Sequence, residues 1–537
     1  MTPTRNQIRY IVALLLVPFA VSAYAAPDPC KALRRFTLSA AAIGLPTHGA
    51  EVTSATHRQQ GDTTFCKVLG RIHPVDPSAD DIRFELNLPD QWNGKALHYG
   101  GGTFDGYLAA ASGLGQTPVG LKSQPTPLAR GYATFGSDSG HHKTYYFPFP
   151  DAINAVNAHF GRNLEMQRNF AGDALKKVHD TVVAIITQRY GKPPARMYFI
   201  GGSTGGREAL KVAQRFPADY DGVLAAYAVW DQVELDLQFI RTAQALYAPG
   251  GFLGHTQTTL IQHTVLRACD ANDGLRDGIV SDPAACHVDP ATLRCKDGHA
   301  HHGCLSDAQL HTLITFATPQ RTTVALSDGV DSIPGYNVLS GAPLNHATGF
   351  LPFPLHNPVF IFNGFGYVIG DDILRNFFTV GYHYDARNFD TSTGGQWHNE
   401  LLHQAHEIDS TSVDLRIFAA HGGKLILVHG TTDNIVPTNS SVDYYQRLRT
   451  TMGADATARF ARLYLIPGLG HGFGLFNAGF DTIGVLDAWA DKNITPENLI
   501  VTDNHNGRTR PLCDWPTYAR YNSGDPNLAI SFTCMQP

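Results

Sequence analysis

From Ile82 to Leu88 the chain alternates apolar and polar residues (Ile-Arg-Phe-Glu-Leu-Asn-Leu), the period-two pattern of a half-buried β-strand. Lys95 to Tyr99 reads as a second strand running into Gly100–Gly106, and Gly131 to Phe135 as a third, ending at Ser137-Asp138-Ser139-Gly140-His141. Between Asn169 and Tyr190 the period lengthens. Phe170, Ala174, Val178, Val182 and Ile186 fall on one stripe of a long amphipathic helix. Met197 to Ile200 is a short apolar run that ends in glycines, and helical patterning resumes from Arg207. Val223 to Tyr227 is the next strand. Strands alternating with helices predict a mostly parallel sheet with helices on both faces. The mixed segment from Cys30 to about Gly70 is expected to cap an edge of that sheet.

The alternation stops at about Trp230. From there to Ser412 the sequence is loop-rich and aromatic-rich and holds four cysteines; strands resume at Lys424–Val428 and Ala461–Ile466. The order predicts one α/β domain from residues 26–229 and 413–537, with residues 230–412 inserted over the strand ends as a lid.

Composition narrows the class. The chain has 537 residues, 43% hydrophobic and 16% charged, with a net charge of −6. That is globular usage, and no long basic run suggests a nucleic-acid partner. Arg5 and Arg9 precede the apolar run Tyr10–Val21, and Ala23-Tyr24-Ala25 offers a small-x-small cleavage site. Residues 1–25 therefore read as a signal peptide, with the mature chain starting near Ala26, in the periplasm or outside the cell. The run is too short to span a membrane comfortably. Eight cysteines suit an oxidising compartment, and their order suggests local pairs, although eight cysteines allow 105 connectivities. The His299, His301 and His302 cluster reads as a solvated loop.

The glycine-flanked serine of Gly201-x-Ser203-x-Gly205 sits where a strand turns into a helix. Such a turn strains the serine backbone and exposes Oγ at the strand tip. Asp433 and His471 each follow an apolar strand, where sites of open α/β sheets are built. The order Ser203, Asp433, His471 is that of the α/β-hydrolase fold. In those roles His471 takes the serine proton and Asp433 orients the imidazole. The oxyanion-hole donors expected are the N–H groups of Thr204 and, from the glycine loop, Gly102. A separate loop, Cys269 to Ile279, offers hard oxygen ligands to Ca²⁺ from Asp270, Asp273 and Asp277 and the Leu275 and Ile279 carbonyls. It lacks the glutamate at position 12 of an EF-hand.

Together these stretches resemble the tannase and feruloyl esterase family. The resemblance rests on Gly201-Gly202-Ser203-Thr204-Gly205-Gly206-Arg207 and Ala213-Gln214-Arg215-Phe216-Pro217-Ala218-Asp219-Tyr220-Asp221-Gly222. It rests also on the aspartate loop, Gly430-x-x-Asp433-x-x-Val436-Pro437, and a tail with Arg510-Pro511-Leu512-Cys513, Arg520-Tyr521, Gly524-Asp525-Pro526 and Cys534. It implies a serine esterase acting on small esters of aromatic acids through an acyl-enzyme. It also implies a structural Ca²⁺ on the five ligands above and disulfides Cys30–Cys66, Cys269–Cys286, Cys295–Cys304 and Cys513–Cys534. The family usually places cysteines just before the serine and just after the histidine. Here those positions are Gly202 and Gly472, so the serine turn is expected to be held by packing, without a disulfide beneath it. Phe360, Phe362, Phe365 and Phe377 are candidates to grip an acyl ring, core packing being the alternative. Other readings on the same sequence are a terephthalate- or phthalate-type ester hydrolase and a non-catalytic, Ca²⁺-stabilised binding protein.

Overall fold

The computed structural model describes residues 1–2, 28–109, 118–142, 158–296, 298, 303–345, 347–356, 358, 360, 362–381 and 384–537. Residues 3–25 of the expected signal peptide and the His299, His301 and His302 cluster lie outside the described residues.

A ten-stranded sheet runs through the molecule. Its strands are β1 (Thr37–Leu38), β2 (Ala50–Gln60), β3 (Thr63–Ile72), β4 (Ile82–Pro89), β5 (Lys95–Tyr99), β6 (Ala133–Ser137), β7 (Arg196–Gly202) and β8 (Gly222–Ala226). Past a short ladder of β9 (Gln320–Arg321) and β10 (Ser332–Ile333), β11 (Lys424–Gly430) and β12 (Ala461–Ile466) complete it. The spatial order is β1-β2-β3-β4-β6-β5-β7-β8-β11-β12. From β6 to β12 every pairing is parallel, so the C-terminal ends of β7, β8, β11 and β12 line one edge. The strands from β1 to β4, and the β4–β6 pair, are antiparallel.

Side chains alternate between two apolar layers, as the pleat requires. Met197, Phe199, Val223, Leu425 and Leu427 face one layer, against helices α1 (Ala174–Tyr190), α2 (Thr204–Arg215) and, beyond the insertion, α8 (Thr438–Met452). Tyr198, Ile200, Leu224, Ile426 and Val428 face the other, against α9 (Thr482–Lys492) through Ile483, Leu486 and Trp489. Helices on both faces of a mostly parallel sheet make this an α/β-hydrolase fold.

Three expectations need correction. The segment before Gly70 does more than cap an edge: β2 and β3 pair in an antiparallel ladder that extends the sheet. Strand β4 is buried on both faces except at Arg83. Its buried polar residues pair with one another and with β3, Asn87 Nδ2 donating to Glu85 (3.0 Å) and Glu85 pairing with Lys67 (2.7 Å), so a period-two pattern here does not mean a wet face. Finally, α1 starts at Ala174. Asn169–Asp173 forms a wider turn, in which Gly172 (φ +135°) breaks the helix.

Between β8 and β11 the stretch read as loop-rich carries helices α3 (Gln232–Leu246), α4 (His255–Cys269), α5 (Asp307–Ala317), α6 (Phe365–Ile373) and α7 (His398–Ile408). They enclose an apolar cluster around Leu246, Leu313 and Phe316 and share a second, around Phe239, Ile373 and Phe377, with Phe160 and Phe170 from the chain before β7. All eight cysteines are paired, as Cys30–Cys66, Cys269–Cys286, Cys295–Cys304 and Cys513–Cys534.

Candidate active site

Strand β7 ends at Gly202, and α2 begins at Thr204, so Ser203 alone makes the turn. Its backbone sits at φ +60°, ψ −124°, a region that costs an L-residue of order 1–3 kcal/mol and persists only where the surroundings impose it. The surroundings do so here. Ser203 N–H donates to the Ala226 carbonyl at the end of β8 (3.0 Å), and its own carbonyl accepts from Gly206, Arg207 and Val229. A Cβ on Gly201 would stand 2.0 Å from the Gly205 carbonyl oxygen, and one on Gly205 would stand 2.6 Å from the Gly101 oxygen. The two motif glycines thus let the helix close onto the strand and onto the glycine loop.

Asp433 lies three residues past β11 and His471 five past β12, on adjacent parallel strands. His471 Nδ1 is 2.8 Å from Asp433 Oδ2. The other carboxylate oxygen, Oδ1, accepts the N–H groups of Ile435 (2.8 Å) and Val436 (2.9 Å). Asp433 is fully buried. Burial alone would raise its carboxyl; the charge of the His471 ring and hydrogen bonds from His429 and His471 outweigh it and hold the group below the ordinary carboxylate range. Asp433 is therefore ionised and accepts from His471 Nδ1–H, which in the neutral ring leaves Nε2 with a free lone pair. Ser203 Oγ makes no hydrogen bond among the described residues. What joins the serine turn to the histidine loop is the ring of Tyr227, 4.6 Å from the His471 ring.

The glycine loop after β5 packs on the first turn of α2. Gly101 N–H donates to Glu208 Oε2 (2.9 Å), and the Thr204 hydroxyl donates to the Thr103 carbonyl. The N–H groups of Gly102 and Thr204 donate to no protein acceptor among the described residues. Thr103 (φ +54°), Asp105 (φ +45°) and Ser139 (φ +60°) all adopt left-handed backbone around this loop.

Several supporting residues escaped sequence reasoning. Burial and the adjacent Asp105 carboxylate push the Glu208 carboxyl well above its usual range. Ser139 Oγ donates to Asp105 and lies 3.4 Å from Glu208 Oε1. His429 is a second histidine on Asp433. Its Nε2 lies 3.2 Å from the Val436 carbonyl and 3.3 Å from Asp433 Oδ2, and its Nδ1 lies 2.7 Å from Ser441 Oγ. A carbonyl only accepts, so Nε2 carries the hydrogen and Nδ1 accepts from Ser441. The charged run Arg207-Glu208, set in the first turn of a helix destined for the interior, was the one available signal.

The aspartate loop turns at Gly274 (φ +92°) and Gly278 (φ +81°), beside the Cys269–Cys286 disulfide. Asp270 Oδ1 accepts from Asp277 and Gly278 N–H, Asp273 Oδ1 from Leu275 N–H, and Asp277 pairs with Arg510 (3.0 Å). Burial raises the Asp273 carboxyl, and the charges of Asp277 and Asp270 raise it further. The three carboxylates are not drawn together within 4.8 Å of one another, and the Leu275 and Ile279 carbonyls accept no protein hydrogen bond among the described residues. Among the described residues, the acidic group whose ligand atoms all lie within 4.8 Å of one another is instead His179, Asp180 and Asp219. There the Lys176 ammonium already lies 2.9 Å from Asp180 and 2.8 Å from Asp219.

Of the four phenylalanines singled out, Phe377 is fully buried among Phe160 and Phe170, and Phe365 packs between Phe239 and Phe360. Those are core roles. Phe362 is 43% exposed.

Comparison with known proteins bears on this arrangement. The family model described as tannase and feruloyl esterase matches residues 66–535. An uncharacterised esterase of Agrobacterium fabrum is 35% identical, over 98% of this chain and 97% of its own. Mono(2-hydroxyethyl) terephthalate hydrolase of Piscinibacter sakaiensis is 29% identical, over 93% and 86%. Among solved structures, feruloyl esterase B from Aspergillus oryzae superposes with a TM-score of 0.77 at 21% identity, over 94% of this chain and 99% of that one, a likeness of fold. With the family model spanning nearly all of the described chain, the chain belongs to the tannase and feruloyl esterase family and is a carboxylic ester hydrolase.

Proposed function

We propose that this esterase cleaves esters of aromatic acids, with Ser203 as nucleophile, His471 as general base and acid, and Asp433 as the residue that orients it. The observation that carries the reading is the strained Ser203 turn on the same sheet edge as the 2.8 Å Asp433–His471 pair. In the first half-reaction Ser203 Oγ attacks the ester carbonyl carbon and its proton passes to His471 Nε2. The carbonyl oxygen becomes an oxyanion, received by the N–H groups of Gly102 and Thr204. Collapse breaks the C–O bond to the alcohol, which leaves with the proton from His471. Water, deprotonated by His471, then attacks the acyl-serine; the C–Oγ bond breaks, His471 returns the proton to Ser203 Oγ, and the carboxylic acid is released.

Aromatic side chains favour an aromatic acyl group. The Tyr107 hydroxyl would stand 3.0 Å from a Cβ on Gly102. Phe473, two residues past His471, is 53% exposed. A panel of hydroxycinnamoyl, galloyl, terephthaloyl and phthaloyl esters, with aliphatic esters of the same alcohols and matching amides, tests this. An aromatic acyl group should raise kcat/KM about tenfold or more over an aliphatic one, the discrimination an apolar pocket supplies. Preference for aliphatic esters or for amides contradicts the reading.

Residues 230–412 act in this proposal as a lid on the catalytic domain. Residues 1–25 direct export and are removed, so the enzyme works outside the cytoplasm; four disulfides support that placement. No helix of the described residues is long and apolar enough to cross a membrane. The chain also reads as a variant without a cystine at the serine turn: Gly202 and Gly472 stand there, and every cysteine is committed elsewhere.

Asp270, Asp273 and Asp277, with the Leu275 and Ile279 carbonyls, would hold Ca²⁺. Its charge would relieve the repulsion among the three carboxylates and stiffen the loop. Free Ca²⁺ a hundredfold above its Kd would stabilise the fold by about 2.7 kcal/mol. Melting should therefore occur at a lower temperature in EGTA than in CaCl₂, and Asp273→Asn should melt alike in both. A wild-type melting curve indifferent to chelation counts against the site.

A further inference from the structure

Strand β8 runs between β7, which delivers Ser203, and β11, which delivers Asp433. The first residue beyond β8 is Tyr227, which leaves the strand at φ +36° with its N–H on the Val428 carbonyl (2.6 Å). This bend directs the side chain into the space between the two loops that carry the reacting pair.

The ring fills that space. A Cβ on Gly202 would stand 2.7 Å from Tyr227 Cε2 and 2.9 Å from both Cζ and Oη; one on Gly472 would stand 3.0 Å from the same Oη. Gly202 precedes Ser203 and Gly472 follows His471. Tyr227 is also packed against the His471 ring at 4.6 Å, tilted by 52°, and faces the His429 ring at 6.4 Å. One aromatic side chain thus touches the nucleophile turn on one side and the histidine loop on the other. The two glycines are the counterpart of the ring, since a side chain at Gly202 would overlap it.

We propose that Tyr227 is a positioning residue, a packed brace that holds His471 in register with Ser203, with Gly202 and Gly472 kept small to admit it. The inference rests on Ser203 and His471 being the reacting pair. The Asp433 hydrogen bond fixes which nitrogen of His471 is free but leaves the ring able to swing about that bond. Tyr227 packs on the ring and removes this freedom.

The experiment is a double-mutant cycle between Gly202→Ala and Tyr227→Ala, read in kcat and KM, with Tyr227→Phe as the conservative variant. Misplacing a general base by about 1 Å costs on the order of 100-fold. Tyr227→Ala should lower kcat by about that factor, with KM changed less than about threefold, since the lost contact acts on His471 and not on bound ester. Tyr227→Phe keeps the ring and should stay within about threefold of wild type. Gly202→Ala should lower kcat about tenfold or more in the native background, and cost almost nothing on top of Tyr227→Ala, where its methyl group meets no ring. Gly202→Ala and Tyr227→Phe, neither of which opens a cavity, keep the test decisive if Tyr227→Ala folds poorly. The proposal is overturned by a Tyr227→Ala enzyme with native kcat, by a Tyr227→Phe enzyme as slow as Tyr227→Ala, or by an equal cost of Gly202→Ala in both backgrounds. Loss of the underlying assignment looks different: an enzyme whose Ser203→Ala form still turns over has another nucleophile, whatever Tyr227 does.

Discussion

Replacing Ser203 with alanine is expected to lower kcat for an activated phenolic ester on the order of 10⁶-fold, the loss typical of removing a serine nucleophile. Oγ is the atom that forms the acyl bond, and its removal leaves an oxyanion hole and a base with nothing to activate but water. Stability should change by no more than about 1 kcal/mol. Ser203 Oγ makes no hydrogen bond to lose among the described residues, and alanine inherits the same φ of +60°. Kinetics with a matched thermal melt separate loss of chemistry from loss of fold.

Asp433→Asn is expected to lower kcat by about 10⁴-fold with little change in KM, because the substitution inverts the imidazole tautomer. The Ile435 and Val436 N–H groups need an acceptor, so they hold the asparagine carbonyl oxygen where Oδ1 now lies. Its amide nitrogen must then face His471 Nδ1 and His429 Nε2. An N–H donor there forces His471 to carry its hydrogen on Nε2, where it cannot accept the serine proton. His429 cannot adapt in turn, because Ser441 and the Val436 carbonyl fix its own tautomer. A kcat within tenfold of wild type, measured on folded Asp433→Asn, would contradict the assigned role.

The parts of the site that can be read from the chain are those whose chemistry is local. Ser203 is marked by the glycines that flank it, and Asp433 and His471 by the apolar strands just before them. The disulfides close over 9 to 36 residues, so order alone suggests their pairing. The supporting residues are invisible for the opposite reason. Glu208 meets Gly101 across 107 positions, and Tyr227 meets His471 only because β7, β8, β11 and β12 are neighbours in space. The same applies to β2 and β3. Polar residues such as Thr56, His57 and Gln59 along β2 hide a strand whose pairing with β3 is set by backbone hydrogen bonding more than by apolar alternation. The helices between β8 and β11 are hidden because their apolar residues pack on other helices and loops, with no sheet to impose a regular stripe.

The central claim is that Ser203 is a nucleophile activated by His471. Its most direct measurement is covalent capture with a fluorophosphonate, followed by peptide mapping of the native enzyme and of His471→Ala. The account predicts a single adduct on the peptide carrying Ser203, formed far more slowly in His471→Ala and absent in Ser203→Ala. No adduct at Ser203 in the folded native protein, or labelling that is indifferent to His471, would contradict it.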